Sequence, residues 1–212
     1  MTDFSNMIDG YRHFYSSDWE AHRARWEELT EGQAPQVMVI ACSDSRVDPA
    51  LVFDSKPGEI FVVRNVAALV PPYETSPGFH GVSAAVEFAV QFLKVPEIVV
   101  MGHGRCGGCN AALSGNVADA DHGEGAHIAD WVRMLREARK GVVEQYGEEG
   151  REAGRAMELA GVRVSLNNLM TFPYVAEKVE NGSLKLQGAY FAIEDGELHV
   201  LNKESDKFET VR

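Results

Sequence analysis

Val37-Met38-Val39-Ile40-Ala41, closing on Cys42, is uniformly apolar, as expected of a strand buried on both faces of a sheet. Residues 59–64 form a second β-rich run, and residues 98–101 a third that leads into His103. Between these two, residues 81–94 place Val82, Ala85, Val86, Ala89, Val90 and Leu93 on one face of a helix. Strand, helix, strand in that order implies a parallel sheet, and in such sheets sites form outside the carboxyl ends of the strands. Further out, residues 128–146 and 149–180 read as helical, with an acidic, glycine-containing loop at 119–125 before them. Residues 184–193 and 198–202 flank Glu194-Asp195-Gly196 as a β-hairpin. Residues 1–31 carry Phe4, Ile8, Tyr11, Tyr15, Trp19, Trp26 and Leu29 at helical spacing and read as two helices. So many aromatics on a terminal arm favour packing on a partner subunit. The expectation is one α/β domain over 1–212: a mostly parallel central sheet flanked by helices, an N-terminal helical arm at 1–31, a core at 33–212, and a C-terminal hairpin.

A chain of 212 residues can bury a full hydrophobic core without disulfides. Three cysteines are an odd number, the opening Met1-Thr2-Asp3-Phe4 has no basic start or apolar stretch, and no run approaches a membrane span. A cytoplasmic location is expected. A net charge of −12 opposes nucleic acid or an anionic membrane as the main partner.

The chemistry concentrates in two runs at strand ends, Cys42-Ser43-Asp44-Ser45-Arg46 and His103-Gly104-Arg105-Cys106-Gly107-Gly108. Two thiols and an imidazole suit zinc, and three protein ligands leave one coordination position free, the arrangement of catalytic sites. His103 and Cys106 are three apart, so a tight turn or helix start aims both at one point, while Cys42 arrives from a parallel strand. Three competing readings stay open. Cys109 as a fourth ligand gives a closed structural site; Cys106-Gly107-Gly108-Cys109 has the spacing of a dithiol redox centre; Gly102-His103-Gly104-Arg105-Cys106-Gly107 matches a dinucleotide-binding glycine pattern. Asp44 and Arg46 favour the open site, since a closed one has no use for an adjacent carboxylate paired with a cation. Arg64, at a strand end, reads as solvated or ion-paired. His13, His22, His80, His122, His127 and His199 lack ligand spacing and read as surface or packing residues.

Cys42-Ser43-Asp44-Ser45-Arg46, Phe61-Val62-Val63-Arg64-Asn65-Val66-Ala67 and the His103, Cys106, Gly107, Gly108 set together closely resemble the β-class carbonic anhydrases. The resemblance runs from about Gln33 to the hairpin and implies zinc-dependent, reversible hydration of CO2 to bicarbonate and a proton. It implies one Zn2+ per subunit on Cys42, His103 and Cys106, with zinc-bound hydroxide oriented by the Asp44/Arg46 pair. It also implies substrate contacts from Gln33, Phe61, Val66, Phe88 and the Gly107 N–H, and a site at the interface of a homodimer or dimer of dimers. Asp44 enters the metal sphere only in an inactive closed state. Two departures stand out. Phe88 replaces a tyrosine common in relatives with this motif set, and Val39 replaces the tryptophan of a bicarbonate-inhibited subgroup, which points to the open-site subgroup. Hydrolysis of CS2 or COS, and a noncatalytic zinc module, are the alternatives.

Overall fold

The apolar run becomes β1 (Val37–Cys42), paired in parallel with β2 (Ile60–Asn65) on one side and β3 (Glu97–His103) on the other. The computed structural model describes residues 2–117, 120, 121 and 123–211. Parallel β4 (Lys185–Ala192) follows β3, and antiparallel β5 (Glu197–Asn202) and β6 (Lys207–Thr210) complete the sheet in the order β2-β1-β3-β4-β5-β6. The chain leaves β1 for β2 on one side and returns through a helix to β3 on the other. The carboxyl ends of β1 and β3 therefore flank the point where strand order reverses, which is where ligands bind in open α/β sheets.

Alternation along β1 explains its uniform hydrophobicity. Met38 and Ile40 face a core shared with Ile98, Val100, Val86, Val90 and Phe172, whereas Val39 and Ala41 face Met101 and Ala189. Every residue from Met38 to Cys42 is buried. A third cluster beyond the strand ends gathers Cys42, Cys106, Cys109, Leu113, Leu135 and Met157.

The helices are α1 (Phe4–Phe14), α2 (Arg23–Thr30), α3 (Pro49–Val52), α4 (Gly81–Glu87), α5 (Gly107–Ser114), α6 (Ala126–Val132), α7 (Arg136–Tyr146), α8 (Arg151–Leu169) and α9 (Pro173–Glu180). The 81–94 pattern holds, with its last turn a π turn over Phe88–Leu93 that ends on left-handed Lys94. A 3₁₀ turn, Arg133–Leu135, interrupts the 128–146 stretch. The expectation of one helical stretch over 149–180 is corrected: it breaks between Leu169 and Pro173. Proline has no N–H for the preceding turn and its ring collides with the carbonyl four residues back, so it starts a new helix at its first position. The expected hairpin gains a third strand, β6, in which only Phe208 packs against the core. Asp119 and His122 of the expected loop lie outside the described residues.

The fold divides into two compact units, one ending at Ala34 and one beginning at Pro35. In the first, Asp3 and Asn6 form a capping box for α1, and a π turn (Tyr15–Trp19) extends it. Tyr15 stacks on Trp19 with centroids 5.1 Å apart, yet no residue of α1 or α2 is buried. Among the described residues, no helix is long and apolar enough to cross a membrane.

Candidate metal centre

Parallel pairing carries Cys42 and His103 to the same edge of the sheet, at the ends of β1 and β3. Cys106 follows as the N-cap of α5, and its sulfur lies 4.0 Å from that of Cys42. One donor atom from each of Cys42, His103 and Cys106 lies within 4.8 Å of the others, and all three residues are buried.

The imidazole bears on what this arrangement could hold. His103 Nδ1 sits 2.9 Å from the Gly104 carbonyl, which only accepts, so Nδ1 carries the proton. Its other nitrogen, Nε2, is buried and without a hydrogen-bond partner, and in the neutral ring it is a bare lone pair. A buried polar atom left unpaired costs about 1–3 kcal/mol. A cation held with the two sulfurs removes that cost, and the N/S donor set is the one a borderline-soft divalent ion prefers. The thiols fit the same account. The neighbouring Cys106 thiol, followed by burial, pushes Cys42 up to about 12. Cys106 is likewise pushed up to about 12, chiefly by Cys109. Without a cation both sulfurs therefore hold their protons at neutral pH, and a coordinating cation displaces them. Cys109 is buried in the hydrophobic cluster and lies outside the three-donor group.

Beside these donors stands the charge pair. Arg46 Nε donates to Asp44 Oδ1 at 2.8 Å, one terminal Arg46 N–H donates to Oδ2 at 2.7 Å, and the Arg46 backbone N–H donates to Oδ1 at 3.0 Å. These bonds, the side-chain ones first, hold the Asp44 carboxyl well below the usual carboxylate range. Oδ2 also faces His103 Nε2 at 4.0 Å, so the carboxylate borders the donor group without joining it. Arg46 further donates to the Arg105 carbonyl at 3.1 Å, tying the first motif to the second.

Arg64, expected to be solvated or ion-paired, is ion-paired to Asp48, and Asp48 and Asn65 support the site beside it. Arg64 donates to the backbone carbonyls of Cys42 (2.9 Å) and Asp44 (2.6 Å) and to Asp48 Oδ2 (2.8 Å), so it fixes the Cys42–Asp48 loop. Asp48 also accepts from the Ala50 N–H as the cap of α3. The signal for the cap was the Asp48-Pro49 pair, a helix-start pattern. After β2, Asn65 bonds both backbone groups of Leu69 and holds a turn in which Ala67 and Ala68 take left-handed backbone.

That turn presents Val66, which packs against the cluster that contains Cys42 and Cys106. A Cβ added at Gly108 would fall 2.6 Å from Val66 Cγ1 and 2.9 Å from Ala67 Cβ, so only glycine lets the turn and α5 approach this closely. Gly107 opens α5, where backbone N–H groups lack an intrahelical acceptor. Phe61 and Phe88 pack on each other at 5.9 Å, and Phe61 packs against the other core cluster while Phe88 is exposed. In register, Phe61 pairs with Met38 and Asn65 with Cys42, which puts Phe61 about 13 Å along the strand from the thiol end. Within one chain these aromatics are not part of the donor cluster. Gln33 belongs to the unit ending at Ala34.

The family described as carbonic anhydrase matches residues 37–198. A carbonic anhydrase of Synechococcus elongatus is 34% identical over 200 residues, spanning 94% of this chain and 72% of that protein. The fold is similar to that of the β-carbonic anhydrase CcaA, with a TM-score of 0.91, 31% identity, and coverage of 99% of this chain and 100% of that one. It is also similar to a tetrameric β-carbonic anhydrase of Sordaria macrospora, at a TM-score of 0.81 and 28% identity, covering 94% and 96%.

Replacing Cys106 by Ser is expected to lower the metal content of purified protein, measured by plasma mass spectrometry, from roughly one ion per chain to about a tenth or less. Full retention of metal would remove Cys106 from the donor set.

Proposed function

The chain belongs to the β-class carbonic anhydrases, a family of enzymes, and on that premise we propose that it hydrates CO2 reversibly to bicarbonate and a proton with one zinc ion held by Cys42, His103 and Cys106. The observation that carries the proposal is the buried, unpartnered Nε2 of His103 beside two sulfurs and an ion-paired carboxylate. Zinc, when bound, supplies a Lewis acid that draws the pKa of water down towards about 7 in well-studied sites.

The chain's own residues divide the remaining work. Asp44, ionised and facing His103 across 4.0 Å, accepts a hydrogen bond from the reacting water and orients it. Arg46 keeps the carboxylate charged and turned away from the metal through its two side-chain bonds. Val66 provides an apolar wall for a nonpolar gas, and the Gly107 N–H serves an oxygen of the forming bicarbonate. Val39, in place of a tryptophan, supports the open-site assignment, with Asp44 off the metal at neutral pH.

Phe61, Phe88 and Gln33 join the site in this proposal from a second copy of the chain, as a homodimer or a dimer of dimers. The support is a bare apolar flank: β2 is the outer strand of the sheet, Val62 is exposed on it, and Phe88 and Phe92 are stacked and 43% and 70% exposed. The arm at 1–31, aromatic and without a buried residue in its α-helices, packs on the partner subunit. Free, buried cysteines suit a reducing compartment such as the cytoplasm.

Stopped-flow CO2 hydration combined with zinc content tests this reading. Turnover should track zinc occupancy and vanish with a chelator; zinc without turnover supports a noncatalytic module, and turnover of CS2 or COS alone supports the hydrolase. Arg46→Ala should lower kcat by about 10²–10³ with zinc retained, a loss of the size seen when a preorganised polar contact is removed. Normal turnover would take Arg46 out of the mechanism. The pH profile gives an independent check. A depressed carboxyl stays charged above the ordinary range of about 4, so Asp44 contributes no ionisation at neutral pH. Two anionic sulfurs offset the charge of the ion, so activity should climb from about pH 6.5 to about 9, and a flat profile would count against the account.

A further inference from the structure

The loop from His103 to Cys106 is held along its backbone. The Gly104 N–H donates to the Phe191 carbonyl at 2.9 Å, the Gly104 carbonyl accepts from His103 Nδ1, and the Arg105 carbonyl accepts from Arg46. The Cys106 N–H is different, because its acceptor is a buried charged side chain. It donates to Oε1 of Glu158 at 3.2 Å, and Glu158, on α8, is only 4% exposed.

A glutamate on a helix face packed among Ala153, Met157 and Val162 is an expensive choice if packing were its only task, since Leu or Met would fill the volume without desolvation. Every partner of its carboxyl is a donor: besides Cys106, the Tyr190 hydroxyl donates to Oε2 at 2.8 Å and Arg151 at 3.4 Å. That set complements an acceptor-only group. Arg151 continues to Glu194, which also accepts from Arg105 Nε at 2.8 Å. Arg105 takes left-handed backbone, φ 58°, an uncommon state for a residue with a side chain. The chain Glu158–Arg151–Glu194–Arg105 thus holds the loop at the side chain of Arg105 and at the N–H of Cys106.

We propose that Glu158 is a positioning residue of the metal centre: by accepting the Cys106 N–H it fixes the cysteine at the start of α5 and sets the direction of its sulfur. This rests on the metal reading of Cys42, His103 and Cys106. Nothing else in the proposed mechanism uses Glu158, and it lies outside the three-donor group. Without the acceptor, Cys106 and Arg105 are free to relax together, and the sulfur loses its fixed aim.

The test uses the full chain with Co(II) as the probe, in wild type, Glu158→Gln and Glu158→Met. Glutamine keeps an oxygen that accepts from Cys106, whereas methionine fills similar volume with no comparable acceptor. Glu158→Met should bind Co(II) about 10- to 100-fold more weakly, the usual cost of losing a partner behind a ligand, and its thiolate-to-cobalt absorption band should shift or weaken. Glu158→Gln should stay within about threefold of wild type in affinity and retain the band. A folded Glu158→Met with wild-type affinity and spectrum overturns the proposal, as does a Glu158→Gln as impaired as Glu158→Met. If wild type itself binds no Co(II), the metal reading has failed and takes this inference with it. Should Glu158→Met not fold, amide exchange on wild-type protein decides the matter: the Cys106 amide should be protected, and exchange as fast as in an unstructured peptide overturns the proposal.

Discussion

The parallel pairing of β1 with β3 is the constraint on which the site depends. With Ala41 opposite Met101, the next steps of both strands bring Cys42 and His103 out at one edge, where strand order reverses. Antiparallel pairing would send those two side chains to opposite ends of the sheet. The register is itself set by burial. A slip of one residue would exchange Met38 and Ile40 with Val39 and Ala41 between faces already packed against different clusters. The hydrophobic core therefore does more than stabilise the sheet. It sets the spacing of the donors.

Around that fixed edge, polar contacts hold the loops that carry the remaining groups. Arg64 holds the backbone of Cys42 and Asp44, Asn65 holds the turn that presents Val66, and Arg46 spans from Asp44 to the Arg105 carbonyl. Asp44 is the member with a real alternative. Its Oδ2 lies 4.0 Å from the unpartnered imidazole nitrogen of His103, and its bonds to Arg46 hold it back from a cation bound there. The balance between Arg46 and the metal for one carboxylate is, in this account, the difference between an open and a closed site.

Much of this was legible in the sequence because it rests on local pattern. The apolar run before Cys42, the helical face from Val82 to Leu93, and the short spacings Cys42 to Asp44 to Arg46 and His103 to Cys106 carry their geometry with them. What stayed hidden depends on contacts distant in sequence. Glu158 lies 52 residues from Cys106 and reads as an ordinary helix glutamate until the α8 face proves buried. Arg64 reads as a solvated or ion-paired strand end, and its bonds to the Cys42 and Asp44 carbonyls emerge only with the loop at 42–48 in place. Phe61 and Phe88 show the reverse case. The resemblance assigned them to the substrate pocket, yet the register of β2 carries Phe61 away from the same chain's donors, so their role waits on a second subunit. The helix break has a local signal in Pro173 itself, which the expectation of one stretch over 149–180 passes over.

The central claim is that three side chains hold the metal while Arg46 keeps Asp44 off it. A crystal structure of the zinc-loaded protein near neutral pH tests this most directly. The account predicts zinc bonded to the sulfurs of Cys42 and Cys106 and to Nε2 of His103, with both Asp44 oxygens still on Arg46. An Asp44 oxygen bonded to zinc under those conditions, or Cys109 as a fourth ligand, would contradict it.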